Sequence, residues 1–248
     1  MPRTLAIIPA RLDSTRLARK VLREVAGQPL LAWVVQAAQR VSQLDDVIVA
    51  VDSDEVAALC RQRGWKYQMT SRDLPSGTDR MHAVSLLHPA DLYVNIQGDE
   101  PTLTHHHIEA LLRPFDRGEH IQATTIRVRC TPENISNPNA VKVVTSTDHR
   151  ALYFSRATIP YDRDAASASH RDTCAAEYWK HIGLYAFRAE TLARFPSLPS
   201  SMLEKTERLE QLRLLENNIA LYVETVEHDT IGVDTEEDLQ RVAKLLSV

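Results

Sequence analysis

Arg11, Arg16, Arg19 and Lys20 fall within ten residues, directly behind the apolar run Leu5-Ala-Ile-Ile-Pro9. A basic loop in that place can grip an anion, because ligands of open α/β sheets bind beyond the carboxyl ends of the strands. A triphosphate is the natural candidate. The competing reading is a solvated charge run, which least explains Arg11, immediately behind the strand. A second apolar run, Leu92 to Ile96, leads into Gln97-Gly98-Asp99-Glu100-Pro101. A carboxylate at that edge can hold Mg²⁺ against phosphate oxygens, and Gly98 permits close backbone approach. An acid in an ordinary strand-to-helix turn is the alternative. Near the C-terminus, Ile231-Gly-Val-Asp-Thr-Glu-Glu-Asp238 again joins an apolar run to a helix, with Thr235 and Asp238 spaced as a capping box. Asp234 needs its own explanation only if it faces Asp99, where two carboxylates would suit one or two hard cations. Spacing alone does not bring them together.

Other polar groups carry two readings each. Ser76-Gly77-Thr78-Asp79-Arg80 opens a helix, where free N–H groups and small side chains suit a base, a ribose or an anion, and equally a plain N-cap. Asp52-Ser53-Asp54 resembles the metal motif of glycosyltransferases, but a strand end followed by a helix cap is preferred. His105-His106-His107 is expected to be a surface run, since adjacent helical residues diverge and do not readily converge on one ion. His181, at the start of an apolar run, is either a hydrogen-bonded core histidine or a ligand group. Glu210 and Gln211, on a leucine-rich segment, either face solvent or line a polar pocket.

The elements that must position these groups follow from periodicity. Short apolar runs alternate with amphipathic stretches, without repeat or long linker, which predicts an α/β fold: one three-layer domain with a mostly parallel sheet. Strands are expected at Leu5–Pro9, Val47–Val51, Tyr67–Met69, Leu92–Ile96, Ala123–Arg129 and Leu221–Val226. Helices are expected at 30–41, 54–63 closed by Gly64, 78–87, 105–115, 203–216 and 235–246. The second half is less regular, with strands at 141–144, 152–154 and 182–187 around a polar stretch at 162–176.

Composition narrows the function. The chain has 248 residues, 44% hydrophobic and 25% charged, enough to bury a sizeable core. A formal net charge of −4 gives no support to nucleic acid binding. Its 7 glycines are too dispersed for G-x-G-x-x-G or a P-loop, so any nucleotide is held by other means. Cys60, Cys130 and Cys174 are too far apart to read as a disulfide framework or zinc ribbon, and no apolar run is long enough to span a membrane. No signal peptide is legible, and a reducing cytoplasm is the expected setting.

Taken in order, these segments resemble the 3-deoxy-manno-octulosonate cytidylyltransferases, the CMP-Kdo synthetases. The likeness runs through Pro9-Ala10-Arg11, Ser14-Thr15-Arg16-Leu17, Lys20, Ser76 to Arg80, Gln97 to Pro101, Pro138-Asn139, Val141 to Val144, Ala151 to Arg156, Ile159-Pro160, Lys180 to Gly183, Leu209 to Arg213 and Val233 to Thr235. It implies a Rossmann-like fold of the nucleotide-diphospho-sugar transferase kind and transfer of CMP from CTP to a 3-deoxy-ulosonic acid, with release of pyrophosphate, for lipopolysaccharide biosynthesis. Under it Asp99 and Asp234 bind Mg²⁺, and Arg11 and Lys20 hold the triphosphate. Pro9, Ala10, Arg16, Ser76 and Arg80 complete the CTP site. Gln97, Arg156, His181, Tyr185, Glu210 and Gln211 surround the small acidic sugar, and pairing through about 130–190 gives a homodimer. The family commonly reads Leu-Pro-Gly-Lys where this chain has Leu17-Ala18-Arg19-Lys20, and often carries a proline before Val233-Asp234 that is missing here. An amino-substituted Kdo or a sialic-acid-like nonulosonic acid is therefore an alternative sugar. A metal-dependent glycosyltransferase built on Asp52 and Asp54, or a CTP-binding regulator without catalysis, are rivals from other classes.

Overall fold

The computed structural model describes residues 2–12, 17–163 and 177–247. In chain order the elements are β1 (Thr4–Ala10), the short hairpin β2 (Glu24–Val25) and β3 (Gln28–Pro29), α1 (Leu30–Gln39), β4 (Asp46–Val51), α2 (Asp54–Arg63), β5 (Lys66–Met69), α3 (Gly77–Ser85), β6 (Leu92–Asn95) and α4 (His105–Leu112). There follow β7 (Ala123–Arg129), α5 (Pro132–Ser136), β8 (Lys142–Thr145), β9 (Ala151–Ser155), β10 (Trp179–Arg188), α6 (Ala189–Arg194), α7 (Met202–Glu207), α8 (Leu212–Glu216), β11 (Leu221–Thr225) and α9 (Glu236–Leu246). The chain divides into two compact units, one of Met1–Leu112, Leu184–Pro196 and Thr230–Val248, the other of Arg113–Gly183 and Ser197–Asp229.

In the first unit β1 lies between β4 and β6, parallel to both, and β5 extends the sheet parallel to β4. The second half of β10 closes it antiparallel against β6, with Tyr185 opposite Asn95. All seven residues of β1 are buried, which is why its sequence reads as a continuous apolar run rather than an alternation. The parallel register puts the carboxyl ends of β1, β4 and β6 at one edge: Ala10 pairs with Val51, and Ile7 with Asn95. Leu17, Val25, Leu30, Val233, Leu239 and Val242 form a buried cluster that fastens the basic loop and the segment before α9 to one another. In the second unit β11 is parallel to β7, and β8 pairs antiparallel with β9 and with the start of β10.

Local signals explain most boundaries. Gly64 ends α2 in the left-handed region at φ 69°, and Thr235 with Asp238 forms the expected capping box of α9. The helix beginning at His105 stops at Leu112, and a 3₁₀ turn containing Pro114 follows, because proline removes a donor from the ladder. The helix expected over 203–216 is broken in two. Arg208 adopts φ 54°, ψ 49° between α7 and α8, without a glycine or proline to announce it. Arg213 bridges the break by donating from Nε to Glu204 at 2.9 Å and from a second nitrogen at 2.5 Å. Arg16, Ser14-Thr15, Cys174 and most of the polar stretch at 162–176 lie outside the described residues.

Candidate active site

The first unit brings the predicted acids and the predicted lysine together. Lys20 Nζ donates to Asp99 Oδ2 at 2.5 Å and to Asp234 Oδ1 at 2.9 Å. Burial alone would lower the pKa of the Lys20 ammonium, but the charges and hydrogen bonds of Asp99 and Asp234 outweigh it and raise that pKa. The backbone fixes this convergence. Val233 N donates to Asp99 O at 2.9 Å, and Ile231 N to Thr102 Oγ1 at 2.7 Å, so the segment before α9 is laced to the loop behind β6. Asp238 accepts from Asp234 N at 3.1 Å while capping α9, which ties the acid to the helix start.

Gly98 has a specific steric task. A Cβ there would lie 2.7 Å from the Pro9 carbonyl oxygen, closer than atoms tolerate, so only glycine lets the Asp99 loop cross the end of β1. Gly98→Ala is expected to destabilise the protein by about 1–3 kcal/mol through this overpacking. A displacement of Asp99 by about 1 Å would also lower kcat up to about 100-fold. Thermal melts and steady-state rates of the one variant check both.

Position 19 holds another constraint. Arg19, where the resembling family has glycine, sits at φ 56°, ψ 32°, in the left-handed region that glycine enters freely, and its guanidinium pairs with Glu55. Arg19 is thus committed to the loop's own shape. Arg11 donates from Nη2 to Leu74 O at 2.9 Å, half-buried behind β1. Arg80 is fully buried: one terminal nitrogen donates to Thr70 Oγ1, another lies 3.4 Å from Asp52 Oδ2, and Nε has no hydrogen-bond partner among the described residues. Burial lowers its pKa, Asp52 counters this and nearby Arg11 adds to it. Ser76 caps α3 by accepting from Asp79 N at 3.1 Å. Pro9 and Ala10 end β1.

Asp52 has no open carboxylate to offer a metal. It is buried, accepts from Leu12 N at 3.0 Å and faces Arg80, while Ser53 caps α2. The strand end and helix cap preferred from the sequence is what stands there. Asp52 instead braces the start of the basic loop against Arg80, a role no motif announced. Asn95 was also missed. It is buried, its Oδ1 has no partner among the described residues, and its amide lies beside Gly77, where a Cβ would be 3.6 Å from Gln97 Nε2 and 3.7 Å from Asn95 Nδ2. A polar residue inside the otherwise apolar run 92–96 was the available signal.

In the second unit, His181 is buried between Thr125 and Gln211, with Thr125 Oγ1 2.8 Å from Nε2 and Gln211 Nε2 3.5 Å from Nδ1; Phe154 meets its ring edge-on. Burial, helped by Lys180, pushes its pKa down to about 3. The unfolded chain takes up a proton below the ordinary value of about 6.5 that the folded chain refuses. The stabilisation is therefore whole above that value and is lost as pH falls towards 3. Between pH 7 and 5 the wild type should lose about 2 kcal/mol more than His181→Gln in urea unfolding. Gln211 is buried and Glu210 half-buried, both placed by the break between α7 and α8. Arg156 donates from Nε to Glu207 O at 2.8 Å and from Nη1 to Pro138 O at 3.0 Å, so part of its guanidinium holds the backbone. In the first unit Tyr185 is half-buried, stacked beside Phe187, and opposite Asn95.

The histidine run is not the surface run expected. His107 is buried, and its Nδ1 accepts from Thr104 N at 3.1 Å, so it caps α4 from within. Among the described residues no helix is long and apolar enough to cross a membrane.

Cations and paired carboxylates gathered at the carboxyl edge of a mostly parallel sheet define an α/β protein of the nucleotide-binding class. The sequence model of the cytidylyltransferase family matches residues 5–226. The chain is 57% identical over 242 residues to the 3-deoxy-manno-octulosonate cytidylyltransferase of Acidobacterium capsulatum, covering 98% of this chain and 96% of that one. It is 50% identical over 244 residues to that of Koribacter versatilis, covering 98% and 90%. A solved CMP:2-keto-3-deoxy-manno-octonic acid synthetase complexed with CTP superposes with a TM-score of 0.92 at 37% identity, covering 99% of this chain and 98% of that one. The chain belongs to the 3-deoxy-manno-octulosonate cytidylyltransferase family, a family of nucleotidyltransferases.

Proposed function

We propose that the protein transfers CMP from CTP to 3-deoxy-manno-octulosonate, the anomeric hydroxyl attacking the α-phosphorus in line and pyrophosphate leaving. The observation that carries this reading is the convergence of Asp99 and Asp234 on Lys20 at the sheet edge beside β1. The two carboxylates already enclose a cation, the lysine ammonium, and are only 31% and 43% exposed. Their oxygens are hard donors, so the pair fits Mg²⁺. When bound, Mg²⁺ supplies positive charge against the triphosphate and the developing charge of the displacement. Lys20 and Arg11 neutralise the triphosphate from the protein side, and Lys20 remains protonated throughout the working pH range because its pKa is raised. Asp52, through Leu12 N and Arg80, keeps the basic loop in place, so positioning precedes binding. Pro9, Ala10, Arg16, Ser76 and Arg80 are retained as CTP-site residues. Gln97, Arg156, His181, Tyr185, Glu210 and Gln211 are retained, residue by residue, as sugar-acid ligands. A neutral His181 suits hydrogen bonding to a sugar hydroxyl rather than pairing with its carboxylate. A homodimer formed through about 130–190 and a cytoplasmic setting belong to the same proposal.

Pyrophosphate release, measured with CTP, Mg²⁺ and a panel of 3-deoxy-ulosonic and nonulosonic acids, tests it. Turnover should be greatest with 3-deoxy-manno-octulosonate. Preference for an amino-substituted or sialic-acid-like sugar would move the substrate assignment, and no turnover with any acid would refute the function.

A further inference from the structure

We propose a second cation site, distinct from the acid pair, formed by His105, His106 and Glu109 at the start of α4 and selective for an imidazole-preferring divalent ion such as Zn²⁺. One ligand atom from each residue lies within 4.8 Å of the others. The rings of His105 and His106 lie with centroids 3.9 Å apart and planes tilted by 39°, and His106 Nδ1 is 3.2 Å from Glu109 Oε2. Ligand atoms on a tetrahedral zinc are about 3.3 Å apart, given bonds of about 2.0–2.1 Å. The His106–Glu109 pair is therefore already at coordinating separation. A ligand atom of His105 lies within 4.8 Å of both, on a side chain that is not buried.

The geometry arises at a helix start. His107 turns inward to cap Thr104, which fixes the first turn and leaves its two neighbours outside. Glu109 is one turn further on, four residues from His105 and three from His106, the spacings that place side chains on one face. A cavity of about 270 Å³, lined by Trp33, Arg40, Thr104, His105 and His106 among others, opens beside the rings and leaves room for the water that completes a three-ligand zinc site. The ion would replace the proton shared by His106 and Glu109. Two imidazoles with one carboxylate suit zinc or copper, whereas the all-oxygen pair Asp99 and Asp234 suits magnesium.

The test is calorimetric titration of the full, metal-stripped chain with Zn²⁺ alone as probe, in excess Mg²⁺ to occupy the acid pair, alongside His106→Ala and Glu109→Gln. His106 is 73% exposed in its side chain, so its removal leaves the fold intact, and circular dichroism verifies this. The expected result is one Zn²⁺ per wild-type chain, with binding weakened in both variants by about 100-fold or more. Even groups that only orient a metal ligand are worth about 10- to 100-fold in affinity. A wild type that binds no Zn²⁺ in excess Mg²⁺, or either variant binding as tightly as wild type, overturns the proposal.

Discussion

Asparagine at Asp99 or at Asp234 is expected to lower the rate of pyrophosphate release about 100- to 1,000-fold, the range that follows loss of one preorganised charge-stabilising group. The substitution keeps the shape and removes the charge. Lys20 would then face one carboxylate instead of two, and a hard cation would lose an anionic ligand. The fold should survive, because the backbone bond from Val233 to Asp99, the capping box of α9 and the buried cluster around Val233 do not depend on either carboxylate's charge. Steady-state rates and melting temperatures of the two variants, with the exposed Asp54→Asn as control, separate loss of chemistry from loss of structure. The glycosyltransferase reading expects the reverse, with metal affinity lost on Asp52→Asn and Asp99→Asn harmless.

Lys142→Met is expected to give the largest loss of stability. Lys142 is fully buried, and its ammonium donates to the carbonyl oxygens of Ala140 at 2.6 Å, Asn137 at 2.7 Å and Arg156 at 2.9 Å. Burial lowers its pKa, but three carbonyl dipoles make the buried charge tolerable. Methionine fills much of the volume and leaves the three acceptors without this donor. At about 1 kcal/mol or more for each buried group left unsatisfied, the loss is about 3 kcal/mol. In a chain of this size that is a fall in melting temperature of about 6–12 °C. Calorimetry of the variant measures it, and a change below about 2 °C would show that the carbonyls find other partners.

The sheet of the first unit was legible because parallel strands buried on both faces must be near-continuous apolar runs, as Leu5–Pro9 and Val47–Val51 are and as Leu92–Ile96 is apart from Asn95. Helix starts and stops at Ser53, Gly64, Ser76 and Thr235 were legible for the same local reasons that make them caps. The acids Asp99 and Asp234 were visible as residues following apolar runs, but their meeting depends on Val233 docking beside Asp99, a contact across more than a hundred residues that no local pattern encodes. The break at Arg208 was hidden because it rests on the Glu204–Arg213 pair rather than on a breaker residue, and with it the burial of Gln211. The histidine run was misjudged because helical divergence was applied to all three residues. At a helix's first turn one side chain turned inward to cap, and the other two stayed together.

The most direct measurement is electron paramagnetic resonance of Mn²⁺, substituted for Mg²⁺, with CTP present. The expected result is tightly held, slowly tumbling Mn²⁺ in the wild type, and in both Asp99→Asn and Asp234→Asn a signal that reverts to that of Mn²⁺–CTP without protein. An unchanged bound signal in either variant would mean that the two acids do not jointly hold the metal–nucleotide, and the mechanism built on their convergence would fall.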